Sequence, residues 1–343
     1  MRRVASVLAL LVALAAPAGA SAHSGQSGGT DYRSAVTSAP TGVSARIVGG
    51  DDRIRITRTR DAAVVILGYG GEPYLRIDAR GTWENRASPA VALNDVRRTS
   101  EPVPEGADRR APEWVRTGGG DSVVFHDHRS HWMGSQPPAV VRADPSRSRT
   151  LYEWRIPVAV GGTPGAIEGT LAWVAPPTTW LWWTATALVA LLASAVGLLV
   201  RAPVPLGIAG MLAAVGAALS TGISQQLDLP EPTTGVALGV VIGVGLVAVG
   251  LGVGHRLRAV PAHALTVILL VALLAGGVQL LGLAGDAFAF GVVPGALPAW
   301  AMRVLVVAGL AGVALAAGAC GQAWRGLIAT TTPPPAERKP AAW

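Results

Sequence analysis

The 343-residue chain is half hydrophobic and only 14% charged, against about 25% in ordinary soluble domains, so charge is missing from some particular region. The single cysteine, Cys320, excludes an intramolecular disulfide and a cysteine-based zinc site. The net charge of +7 is spread over a leader, an outer segment and an apolar half. No basic patch stands out on a soluble domain, so a nucleic-acid partner is not expected.

Residues 1–22 have the anatomy of a secretory signal peptide. Arg2-Arg3 opens it, Val4–Ala16 forms the apolar run, and Ala20-Ser21-Ala22 is a small-x-small cleavage site. Cleavage there makes His23 the first mature residue, and Ala18-Gly19-Ala20 is a competing site. Residues 23–40, Gly/Ser-rich at first, read as a flexible lead-in.

Residues 41–178 read as an extracytoplasmic β-rich domain. Arg53-Ile54-Arg55-Ile56-Thr57-Arg58 alternates strictly, which places Ile54 and Ile56 on one face of a strand. Ala62–Leu67 is continuously apolar and predicts a fully buried strand. Further strands are expected at 73–77, 82–85, 122–128, 151–160 and 166–174, with Gly161-Gly162-Thr163-Pro164-Gly165 as a break. Residues 94–113 predict a long surface excursion. Short strands separated by Gly/Pro turns imply an all-β fold, an antiparallel sandwich or small barrel. No dinucleotide or phosphate-binding glycine fingerprint and no nucleophile elbow occurs there.

Residues 179–324 predict an all-α bundle of five transmembrane helices, at about 179–200, 204–222, 234–254, 262–283 and 301–322. Residues 325–343 form the expected cytoplasmic tail. Acidic Asp228, Glu231 and Asp286 fall in loops expected outside, whereas Arg201, Arg256, Arg258 and Arg325 fall inside, as the positive-inside rule requires. The expected location is therefore a multi-pass plasma-membrane protein with the lipid bilayer as its first partner. Arg303 departs from the pattern and is expected to snorkel to the headgroups. The span interiors carry no Asp, Glu, Lys or His, which argues against a transport path. Gly235, Gly239, Gly243, Gly250 and Gly254 mark a close-packing helix face, for packing within the bundle or for a homodimer.

One stretch carries concentrated chemistry: His126-Asp127-His128-Arg129-Ser130-His131-Trp132-Met133, with three of the six histidines. On a strand His126 and His128 share a face. His131 joins them if the chain turns after Arg129. Three imidazoles suit Cu(II) or Zn(II), and the Met133 thioether favours copper, with zinc the second choice. Asp127 is the candidate to orient an imidazole. His23, as a mature terminus, adds an amine and an imidazole. The expected function is extracytoplasmic metal binding, with copper handling or presentation through the His/Met loop as the specific expectation; the alternative is a metal-free module that docks an envelope protein. Catalysis ranks below both, because Glu113, Asp121 and Asp127 are available as bases but no spacing selects one.

The motifs Gly68-Tyr69, Glu72-Pro73-Tyr74-Leu75, Trp83-Glu84-Asn85-Arg86, the histidine stretch and Gly169-Thr170-Leu171 with Trp173-Val174 together resemble an uncharacterised family of actinobacterial membrane proteins. That resemblance implies an outer β-domain attached to a membrane bundle and implies no particular activity. In layout, the His23 terminus and the His/Met loop are also similar to copper-handling pairs of CopC and CopD type. The bundle departs from that pattern by lacking buried histidines.

Overall fold

Alternation of apolar and polar residues builds ten strands in the first half of the chain. A computed structural model describes residues 29–51, 53–96, 102, 105–106, 109–228, 277–278 and 280–331. The strands are β1 (Tyr32–Ser38), β2 (Val43–Val48), β3 (Arg53–Arg58), β4 (Val64–Leu67), β5 (Pro73–Asp78), β6 (Gly81–Asn85), β7 (Trp114–Gly118), β8 (Ser122–His126), β9 (Arg149–Val160) and β10 (Thr163–Trp173). They form a seven-stranded sheet, β1-β10-β9-β4-β5-β6-β7, and a three-stranded sheet, β2-β3-β8. Every strand pairing is antiparallel.

The two sheets enclose one core. Ile54, Ile56 and Phe125 come from the smaller sheet, and Val64, Ile66, Ile77, Trp154, Ile156, Val158, Ile167 and Leu171 from the larger. Burying each such side chain stabilises the fold by about 1.5–3 kcal/mol, which is why the period-2 pattern fixes the faces. β9 and β10 meet at Gly161 and Gly162, both with positive φ (58° and 84°), the backbone that a two-residue hairpin turn demands.

Three differences from the sequence expectation have physical causes. β1 begins at Tyr32, so the sheet starts inside the stretch expected to be a lead-in through residue 40; its edge position lets Arg33 and other polar residues face outward. β4 alternates in burial, with Val64 and Ile66 in the core and Val65 and Leu67 half-buried, so only one of its faces points into the space between the sheets. Two short helices also interrupt the all-β reading: α1 (Pro89–Asp95) and α2 (Ala139–Ala143). Ser88 caps α1 by accepting from the Ala90 amide at 3.2 Å, and Pro89 occupies the first turn, where its missing N–H costs nothing.

The second half contains α3 (Thr179–Leu199), α4 (Pro203–Asp228), α5 (Leu280–Ala289) and α6 (Ala299–Thr331). Three of these, α3, α4 and α6, are long and apolar enough to cross a membrane. At 1.5 Å per residue, the 21 residues of α3 reach the ~30 Å of a bilayer core. A five-helix bundle is not what the described residues display. The expected span at 234–254 and most of that at 262–283 lie outside them, as do Gly235, Gly239, Gly243, Gly250 and Gly254.

Among the described helices, close packing uses other glycines. A Cβ on Gly210 would stand 2.5 Å from the Gly312 carbonyl, and one on Gly312 would stand 2.6 Å from the Gly210 carbonyl. Gly197 and Gly318 bring α3 equally near α6. Arg303 also differs from expectation. Its guanidinium donates to the carbonyls of Ala287 and Phe290, both at 2.7 Å, and so satisfies the open end of α5.

Candidate metal centre

The three histidines converge because a strand end is followed by a tight turn. His126 is the last residue of β8, where it pairs with Arg53 of β3. Asp127 then starts a turn: the Ser130 amide donates to the Asp127 carbonyl at 3.1 Å, and the Ser130 hydroxyl donates to the same oxygen at 2.9 Å. That reversal returns His131 to His126. The ring centroids lie 4.4 Å apart for His126 and His131, 5.1 Å for His126 and His128, and 5.6 Å for His128 and His131. One ligand atom from each lies within 4.8 Å of the others. Among the described residues, no other group of three or more His, Cys, Asp or Glu side chains converges in this way.

Backbone carbonyls orient the rings. His126 Nδ1 lies 3.2 Å from the Asn94 oxygen, and His131 Nδ1 lies 3.2 Å from the Trp132 oxygen. A carbonyl only accepts, so each Nδ1 carries the proton and each Nε2 keeps its lone pair. Those two Nε2 atoms face each other at 2.5 Å. Two lone pairs so placed repel each other, and a cation between them, a shared proton or a metal ion, would relieve that repulsion. His128 is turned the other way: its Nε2 donates to the Val96 carbonyl at 2.8 Å, which leaves Nδ1 as its ligand atom. Asn94 and Val96 belong to the end of α1, whose last carbonyls have no partner within the helix. A histidine ligand held by a carbonyl at its second nitrogen is the usual arrangement in metal sites.

Two nitrogens bound tetrahedrally at about 2.0–2.1 Å stand about 3.3 Å apart. The His126–His131 pair, at 2.5 Å, therefore opens by about 0.8 Å to accept an ion. His131 is fully buried, while His126 and His128 are half-buried.

Arg129 does not oppose a cation here, because Asp127 neutralises it. The Arg129 Nη2 and Nε atoms donate to the two carboxylate oxygens of Asp127 at 2.7 and 2.9 Å, and Nη2 also reaches the Leu67 carbonyl at 3.1 Å. Burial, the largest single effect, works to lower the Arg129 pKa, but the Asp127 hydrogen bond and the charge interactions with Asp127, Tyr69 and Glu72 together outweigh it, and the net shift is upward. Asp127, expected to orient an imidazole, thus holds Arg129, and carbonyls take the orienting role. Asp121 is likewise tied to Arg58 at 2.5 Å. Two of the three bases considered for catalysis are therefore engaged in ion pairs.

Sequence reasoning missed what supports the loop. Tyr69 donates to Asn94 Oδ1 and accepts from the His128 amide at 2.9 Å. Burial, then the nearby Asp127 charge, raise its pKa, so the phenol stays a neutral donor. Tyr74 also contacts Asn94, and burial pushes it up to about 12. Under this layer, Glu72 accepts from the Ser88 hydroxyl at 2.7 Å and the Gly70 amide at 2.9 Å. The one legible signal was Ser88-Pro89, a helix start that places Asn94 one helix length on. Met133 lies half-buried in the same loop, two residues after His131, and His23 lies outside the described residues.

The fold and site together define a β-sandwich-like domain that carries a three-histidine cluster beside a set of apolar helices. Compared with known protein families, curated proteins and solved structures, the chain matches none.

Proposed function

We propose that the chain is a membrane-anchored protein whose outer domain binds a transition-metal ion through His126 Nε2, His131 Nε2 and His128 Nδ1. The observation that carries this reading is the convergence of the three imidazoles, one ligand atom of each within 4.8 Å of the others, with every second nitrogen held by a carbonyl. Copper is favoured over zinc because Met133 offers a soft donor in the same loop. A His23 terminus would add a further nitrogen ligand.

The helices α3, α4 and α6 serve as the anchor. Arg201 follows the end of α3 remote from the β-domain and Arg325 lies in the last two turns of α6, whereas Asp228 ends α4 beside the β-domain. That distribution supports an extracytoplasmic β-domain and a cytoplasmic C-terminus. Trp180, Trp183 and Trp300 are exposed at the near ends, where an aromatic belt would lie.

The test is a titration of the full chain in detergent, purified without a polyhistidine tag, with Cu(II), Cu(I) and Zn(II). Wild type is expected to bind one ion per chain. The His126→Ala, His128→Ala and His131→Ala variants should each lose about 100-fold or more in affinity, at least the upper end of what losing a group that merely orients a ligand costs. Equal binding by the triple variant would overturn the metal reading and leave the docking module in its place.

A further inference from the structure

The histidine loop lies at the end of the β-domain that meets the helices, and the contacts there form one continuous chain. On one side, Asp31 directly precedes β1 and accepts from the Gly291 amide at 2.7 Å, while Thr30 and Val292 exchange two backbone bonds at 3.0 and 2.8 Å. On the other, the β2–β3 turn rests on the end of α4. The Gly49 amide donates to the Asp228 carbonyl at 2.9 Å, and the Gly50 amide to its carboxylate at 3.3 Å. That carboxylate also accepts from the Gly295 amide at 3.2 Å, so Asp228 ties the turn to the segment before α6.

Both sides of this joint reach the metal loop within a residue or a few. Tyr32, next after Asp31, stacks on Trp132 with centroids 6.3 Å apart and planes 13° from parallel; Trp132 follows His131. The β2–β3 turn leads into Arg53, the residue paired with His126. His126 is held on a strand, whereas His131 and Trp132 are held in a loop, in part by the Tyr152 hydroxyl donating to the His131 carbonyl at 2.7 Å. An ion that ties His131 to β8 therefore fixes Trp132, and with it Tyr32 and the joint.

The geometry points to a metal-dependent lock between the β-domain and the helices: occupancy of the three-histidine site steadies the Asp31–Gly291 and Thr30–Val292 contacts through the Trp132–Tyr32 stack. This rests on the metal reading above. Linkage makes the effect reciprocal, so a joint that is held closed also binds the ion more tightly. An ion need not displace any element to act this way, because restricting one side of a packed contact lowers the entropy cost of closing it.

The test is hydrogen exchange of the full chain in detergent, followed by mass spectrometry, with and without saturating Cu(II) or Zn(II). The peptides to follow contain Thr30–Tyr32 and Gly291–Val292. Metal is expected to slow their exchange about fivefold or more, the lower end of ordinary coupling between sites. Tyr32→Ala should remove that slowing while keeping the ion bound, and Tyr32→Phe should retain most of it. Should Tyr32→Ala misfold, Tyr32→Leu keeps an apolar side chain there and still removes the ring stack. Unchanged or faster joint exchange in a chain with metal bound at the histidines overturns the lock alone. Absence of metal binding to wild type overturns both the lock and the metal reading.

Discussion

The histidine loop and the helices solve the same problem, close approach, by opposite means. In the loop, polar groups crowd together and nearly every one is answered: carbonyls hold imidazoles, Asp127 holds Arg129, Tyr69 bridges Asn94 and the His128 amide. In the helices, glycines let backbones touch, and Gly210 and Gly312 meet with no side chain between them. Arg303 is the exception there, and it too ends on carbonyls. Buried polar groups are costly unless paired, so a region that keeps so many of them in contact is organised around chemistry, and one that discards them is organised around packing.

That contrast predicts separable failures. Asp127 is fully buried and Arg129 nearly so, with side-chain exposures of 0% and 19%. Asp127→Asn should cost about 3 kcal/mol of β-domain stability, because it leaves a largely buried cation without its counter-charge. Thermal unfolding of the full chain checks this, and a loss below about 1 kcal/mol would mean that the carbonyls of Leu67 and Gly68 suffice for Arg129. Gly312→Leu should reach the helices only. A Cβ there meets the Gly210 carbonyl at 2.6 Å and the Ala214 amide at 2.9 Å. Overpacking of this kind costs about 1–3 kcal/mol. Helix unfolding in graded denaturant should therefore shift, while metal affinity stays as in wild type.

A smaller effect is expected from Tyr69→Phe. It removes the donor to Asn94 and the acceptor for the His128 amide, so the carbonyl that aims His126 loses its support. Metal affinity should fall about tenfold, the lower end for groups that orient ligands. A calorimetric titration reads this directly, and an unchanged affinity would assign Tyr69 to core packing. The smallest effect concerns pH. Burial, the first cause in each case, pushes Tyr74 and Tyr152 up to about 12. Their contribution to stability is complete below about pH 10, the unfolded value, and is lost as pH rises toward 12. Ultraviolet titration should show both phenols protonated at pH 11 in the folded chain and ionised after unfolding.

Much of the sandwich was legible because its signals are local. Ile54 and Ile56 alternate with arginines, and the Gly161-Gly162 turn has no other reading. The histidine triad was half legible: His126-x-His128 lies in the sequence, but its closure by His131 depends on the turn that Ser130 makes with the Asp127 carbonyl. The carbonyls of Asn94 and Val96 were not legible at all, since a backbone acceptor has no residue identity and α1 is only seven residues long. The end of α4 was misjudged for a similar reason. Ser224 and Asp228 look like loop residues, yet their oxygens accept from Leu297, Gly295 and Gly50 amides, so tertiary bonds carry the helix onward.

The central claim is that His126, His128 and His131 bind one ion together. X-ray absorption of the copper-loaded full chain, compared with the triple alanine variant, tests it most directly. Three imidazole nitrogens are expected on the copper in wild type, and their loss in the variant. Copper bound by fewer than two imidazoles, or an identical spectrum from the variant, would contradict it.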